Sequence, residues 1–188
     1  MRVRPAHPIC HDRRLVARAG KVARPASLVD RKKLGAEPLR NIGSLIVFAA
    51  LVAIAASSGA TFMPGEWYAA LKKPAWTPPD WAFPVAWTIL YIMIAIAGWL
   101  AWKATGFTHA MVVWGLALIL NALWSYIMFG QHEISLALLE LAGLWIAIVL
   151  FIVMAWRIDQ RASWLFVPYL AWVTFAGALN FAIWQLNS

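Results

Sequence analysis

Residues 134–156 read ISLALLELAGLWIAIVLFIVMAW, a run whose single charged position is Glu140. A helix needs about 20 mostly apolar residues to cross the hydrocarbon of a bilayer, and this run has that length. Arg157, Asp159 and Arg161 close it on one side, Gly130 and Glu133 on the other. Working outward, four more stretches of the same kind appear. One covers about His109 to Phe129, and one runs from Trp81 to Trp102 with Lys103 and the Gly106 turn behind it. A charge-free one runs from Ile42 to Met63 and is ended by Pro64-Gly65; the last covers Ser163 to Leu186. A membrane β-barrel would show alternating segments of about ten residues. An open sheet cannot leave its edge groups unpaired in lipid. The fold class is therefore an all-α membrane protein, a five-transmembrane-helix bundle.

Composition agrees. The chain has 188 residues, 63% of them hydrophobic and 13% charged, with thirteen Trp among its aromatic residues. Soluble domains are about half apolar and a quarter charged, so a soluble enzyme is excluded. The charge is concentrated at one end. Residues 1–40 hold eleven Lys/Arg and three Asp/Glu, whereas residues 41–188 carry five of each. The organisation expected is a basic, disordered arm over 1–40 and a membrane domain over 41–188. Such arms meet acidic lipids or nucleic acid; no folded basic module follows this one, so no nucleic-acid partner is expected. An Arg-rich targeting segment or an overlong start fits the same residues. The single Cys, Cys10, excludes an intrachain disulfide, and with His7 and His11 it is too small a set for a structural zinc site.

Basic residues near span ends set orientation. With the arm cytoplasmic, Lys103, Arg157 and Arg161 join it, fourteen basic groups against Lys72 and Lys73 opposite. That is an N-in, C-out chain, placed by this reading in a bacterial cell envelope. Three connections are short. The fourth, 64–80, reads PGEWYAALKKPAWTPPD. Long Pro- and aromatic-rich loops are often lids or binding loops, so it is expected to cover one mouth of the bundle; Trp and Tyr also favour the headgroup zone.

No HExxH, CxxC, GxSxG, Walker or dinucleotide motif is present, and no metal site or required cofactor is expected. Instead, aromatic and small polar groups recur at helical spacing. Pro84, Trp87, Tyr91 and Ala95 share a stripe, as do Ala117, Asn121, Trp124, Ser125 and Met128. Tyr169, Trp172, Ala176, Leu179 and Asn180 form a third. Asn121 and Asn180 are costly in hydrocarbon without partners and should face inward. Glu140 is either a functional acid or a hydrogen-bonded group stabilising a helix or dimer contact. Ala49, Ala53, Ser57 and Thr61 form a small-residue ridge suited to helix packing or dimerisation.

The run EWYAALKKPAWTPPDWAFPVAWTILY (66–91), with NALWSYIMFG (121–130) and PYLAWVTFAGALN (168–180), resembles the signature of the translocator protein / tryptophan-rich sensory protein (TspO/MBR) family, relatives of the peripheral-type benzodiazepine receptor. The resemblance covers about 42–188. It implies a five-helix bundle, often a homodimer, with a cavity for tetrapyrroles such as protoporphyrin IX, and for sterols or drug-like molecules in some members. Carried over by position, it implies ligand-binding roles for Trp87 and Trp172, the lid residues Tyr68 and Trp76, Asn121 and Trp124, and Ala176, Leu179 and Asn180; Tyr91, on the stripe with Trp87, joins them as a candidate ligand-binding residue. The function implied is binding, with transfer or sensing, of a tetrapyrrole ligand in the membrane. Alternatives are a light- or oxidant-dependent porphyrin-degrading enzyme with Trp87 and Trp172 as the reactive pair, or a sterol or drug-like ligand transporter. No Lys or Arg follows Arg161, so Tyr169 lacks the basic partner of the sterol-recognition pattern.

Overall fold

The structure is a computed structural model that describes the backbone of residues 28–188 and the side chains from Ile42 onward. The reading of His7, Cys10 and His11 falls on positions outside the described residues. The chain divides into two units, 1–37 and 38–188, and the membrane spans belong to the second.

The elements are α1 (Leu28–Thr61), α2 (Glu66–Ala70), α3 (Ala82–Thr105), α4 (His109–Ser125), a π-helical turn (Tyr126–Gly130), α5 (Ile134–Trp156) and α6 (Gln160–Asn187), with no strand among the described residues. Five segments are long and apolar enough to cross a membrane: 42–61, 82–105, 109–130, 134–156 and 160–187. The five expected spans are present, with ends shifted by at most three residues.

The breaks have local causes. Gly106 ends α3 with φ 71° and returns its N–H to the Trp102 carbonyl at 2.7 Å; the left-handed region suits glycine. After α4 the chain widens into one π turn, closed by Gln131 N–H to the Tyr126 carbonyl at 2.9 Å. Asp159 caps α6, its Oδ1 accepting the Arg161 N–H at 2.9 Å. Pro168 lies inside α6, removing one main-chain donor, a loss that membrane helices tolerate.

The cap gives a testable pH effect. The Arg161 guanidinium bonded to Asp159 holds its carboxyl below the ordinary value of 3.8. A lowered carboxyl contributes stability above its unfolded pKa and loses it as pH falls through the folded one. Asp159→Ala is therefore expected to cost about 1 kcal/mol at pH 7. Thermal unfolding in detergent should show that gap closing as the pH drops below 3.8.

α3, α4, α5 and α6 form a closed ring in which α3 touches α4 and α6, and α5 lies between α4 and α6. At the α3–α4 contact the small residues Ala97, Gly98 and Ala101 are buried, and the Trp114 indole enters the space they leave, donating to the Ile94 carbonyl at 3.0 Å. Phe151 and Phe166 pack at 4.1 Å between α5 and α6. α1 lies against α3 and α4 through Phe48, whose ring meets Trp114 at 5.1 Å and Trp102 at 6.2 Å. Among its described side chains, Phe48, Val52 and Ala55 are buried. The ridge of Ala49, Ala53, Ser57 and Thr61 is exposed, so it does not pack within the chain: the bulky face, not the small one, makes the intramolecular contact. Elsewhere Ile54, Leu139 and Val153 turn outward, 60% or more exposed, as a surface solvated by lipid requires.

Candidate functional site

Trp87 and Tyr91, one turn apart on α3, stack at 5.3 Å. Trp172 on α6 meets Trp87 edge-on at 6.5 Å and 85°, within the range of favourable aromatic pairs. Tyr169, fully buried one turn before Trp172, also faces Trp87 at 6.1 Å. Below these rings runs a polar chain. The Tyr91 hydroxyl donates to Asn121 Oδ1 at 3.0 Å, and Asn121 Nδ2 donates to the Tyr169 hydroxyl at 3.2 Å. Asn121 on α4 is 5% exposed, so its amide is satisfied inside the ring, as its cost in hydrocarbon demands. Three helices thus meet through one asparagine.

Nearer the 64–80 loop, α2 and the π turn supply a second aromatic group. Phe129 joins two predicted residues, meeting Tyr68 edge-on at 5.3 Å and Trp124 at 5.4 Å. The π turn explains why: it displaces Phe129 from regular α register. Lys73 Nζ sits 4.4 Å above the Tyr68 ring, and burial together with Asp80 raises the Tyr68 hydroxyl pKa above the ordinary phenol value. The hydroxyl therefore keeps its proton at neutral pH. Trp67 stacks flat on His132 at 4.2 Å and 14°. Trp76 is half exposed and reaches the ring only through Phe175, at 5.8 Å, which in turn touches Trp172 at 5.6 Å.

The remaining predicted residues continue down α6. Ala176 is half-buried and packs against the main core, and Leu179 is buried. Asn180, 2% exposed, donates to the Ile134 carbonyl at 3.0 Å and leaves its Oδ1 buried without a partner. The Trp124 indole N–H and both Glu140 carboxyl oxygens are likewise buried and unpartnered. Such groups are rare in native interiors. They are among the polar atoms this interior can still offer to another molecule.

A lipid-side groove of about 190 Å³ opens between α5 and α6, among Leu138, Leu141, Trp145, Val173, Thr174 and Gly177. None of the ten predicted residues lines it; those residues are grouped instead by the aromatic contacts above. No group of three or more His, Cys, Asp or Glu among the described residues could hold a metal ion. Sequence reasoning passed over Phe83, Phe129 and Phe175, the rings that touch Trp172, Trp124 and Trp76. Phe175 follows Trp172 by three positions, a spacing that puts both on one helix face; Phe129 was hidden by the π turn.

A model of the TspO/MBR family matches residues 44–185. Protein CrtK of Rhodobacter capsulatus is 41% identical over 145 residues, 75% of this chain and 91% of the relative. Tryptophan-rich protein TspO of Chlorobaculum tepidum is 44% identical over 137 residues, 69% of this chain and 87% of the relative. Translocator protein of Homo sapiens is 37% identical over 137 residues, 69% of this chain and 81% of the relative.

Proposed function

The chain belongs to the TspO/MBR family, is a multi-pass membrane protein, and on that premise we propose that it binds a tetrapyrrole of the protoporphyrin IX type, for transfer or sensing, between α3, α4 and α6. The observation that carries this reading is the meeting of Trp87 and Trp172 from separate helices above the Tyr91–Asn121–Tyr169 chain. A flat conjugated macrocycle gains about 0.5–1.5 kcal/mol for each well-placed aromatic contact beyond the area it buries. The buried hydroxyl and amide groups beside the rings fix its orientation, as the few polar groups of most small-molecule pockets do. The names translocator protein and tryptophan-rich sensory protein borne by relatives accord with moving or detecting such a ligand.

Because the two indoles touch each other, a macrocycle enters by parting them, and the 64–80 loop is the segment that must move. Spectroscopic titration of the purified protein with protoporphyrin IX is expected to give saturable binding, weakened several-fold in Trp172→Phe. Phenylalanine keeps an aromatic face there, but a smaller one. Equal affinity in the variant would remove Trp172 from the site, and a non-saturating titration would remove the site.

A further inference from the structure

We propose that Asn187, the penultimate residue, latches the 64–80 loop shut and so sets how fast ligand exchanges. This rests on the reading of that loop as the cover of the binding site. The Asn187 side-chain amide pairs with both main-chain groups of Lys72: Oδ1 accepts the Lys72 N–H at 3.0 Å, and Nδ2 donates to the Lys72 carbonyl at 2.9 Å. Nδ2 also donates to the Ile183 carbonyl at 2.7 Å, one turn back on α6, which fixes the amide on its own helix. One side chain thereby does for the loop what a neighbouring strand does for a β-edge, satisfying an N–H and a C=O together.

The position of this contact decides its consequence. Among the described residues, these two bonds are the hydrogen bonds that join the loop to a helix distant in sequence. The loop's other attachments are non-directional: the ring contacts of Trp67 on His132, Tyr68 on Phe129 and Trp76 on Phe175, and the apolar packing of Trp67 and Tyr68 against the cluster of Ile127, Met128 and Ala137, which slide more easily than directional bonds. Lys72 lies midway between them, and the next residue, Lys73, covers Tyr68 from above. The corner of the loop is held from outside by α6 and rests inside on the Tyr68–Phe129–Trp124 group. Releasing Lys72 frees the segment between α2 and Trp76, the part that must lift for the indoles behind it to part. An amide on a short stem is required. A carboxylate in its place would face two carbonyl oxygens, and a bare methyl would present nothing.

Trypsin tests this on the intact protein in detergent. The bond after Lys72 is cleavable, whereas Lys73 precedes Pro74 and is protected by it; Lys103 provides a reference site far from the latch. Cleavage after Lys72, followed by mass spectrometry, is expected to accelerate about tenfold in N187A, which loses both bonds to Lys72, and in the isosteric N187D, which loses the Nδ2 bond and sets a carboxylate oxygen against the Lys72 carbonyl, with the rate after Lys103 unchanged. In the same preparations protoporphyrin IX should dissociate about tenfold faster from both variants. Unchanged cleavage after Lys72, equal acceleration at both sites, wild-type behaviour of N187D, or faster cleavage with unaltered porphyrin release would each overturn the proposal. A wild-type chain that takes up no porphyrin would defeat the ligand reading instead, and the cleavage rates would then decide the latch by themselves.

Discussion

Protoporphyrin IX is expected to bind Trp87→Ala and Trp172→Ala each about thirtyfold more weakly, ~2 kcal/mol, the cost of truncating a central aromatic anchor. The double variant should lose less than the product of the two. The rings touch at 6.5 Å, and residues in contact share their effects rather than adding them. Once one indole is gone the ligand shifts toward the gap, and the second has less to grip. Absorbance titration of the four proteins closes the cycle, with size-exclusion elution reporting that each variant is folded. Losses that multiply would mean that the two indoles grip the ligand independently, without the coupling their contact implies. No loss in either single variant would move binding elsewhere, and Trp145→Ala in the α5–α6 groove would then become the informative substitution, since Trp145 lines that groove and its Nε1 donates to Thr174 at 2.9 Å.

The spans were legible because membrane physics is nearly one-dimensional: twenty apolar residues in a row admit few structures. Their neighbours were less so. Which helix touches which depends on side-chain shape, and every face of these helices is apolar, so periodicity separates lipid from core poorly. The ridge on α1 illustrates this. Ala49, Ala53, Ser57 and Thr61 have the spacing of a packing seam, yet within the chain the face with Phe48 and Val52 is the buried one, Phe48 meeting Trp114 edge-on.

Polar residues were the better guides. Asn121 and Asn180 were expected to face inward on cost alone, and both are buried. Glu140 was visible for the same reason, and its carboxyl oxygens are buried. The bonds these residues make were hidden, since a partner forty-eight positions away, as Tyr169 is to Asn121, leaves no local trace. The Asn187 contact to Lys72 was hidden for the same reason, spanning 115 positions. Tryptophan content announced an aromatic interior, but the phenylalanines that complete it, Phe83, Phe129 and Phe175, are too ordinary in a membrane helix to stand out.

The aromatic site depends on how closely α3 is held, and one glycine sets that distance. A Cβ at Gly98 would lie 2.5 Å from Trp114 Cε2 and 2.6 Å from Nε1. The indole has nowhere to go: it is 3% exposed, tied to the Ile94 carbonyl, and backed by Phe48. Alanine in place of glycine gains about 1 kcal/mol of helix propensity. Overpacking a filled core costs about 1–3 kcal/mol, and an overlap this deep lies at the upper end. Gly98→Ala is therefore expected to lower the melting temperature in detergent and, by moving the helix that carries Trp87 and Tyr91, to weaken porphyrin binding. Gly143→Ala on α5, where a Cβ would meet nothing within 4 Å, should leave both unchanged or raise stability slightly. Trp114→Phe, destabilising in the parent chain through its lost bond and area, should raise the melting temperature when added to Gly98→Ala, because it removes the atoms the new methyl strikes. That reversal of sign belongs to a steric contact alone. If Gly98→Ala proved as stable as the parent chain, propensity would have outweighed the overlap, and α3 would be free to draw back from α4.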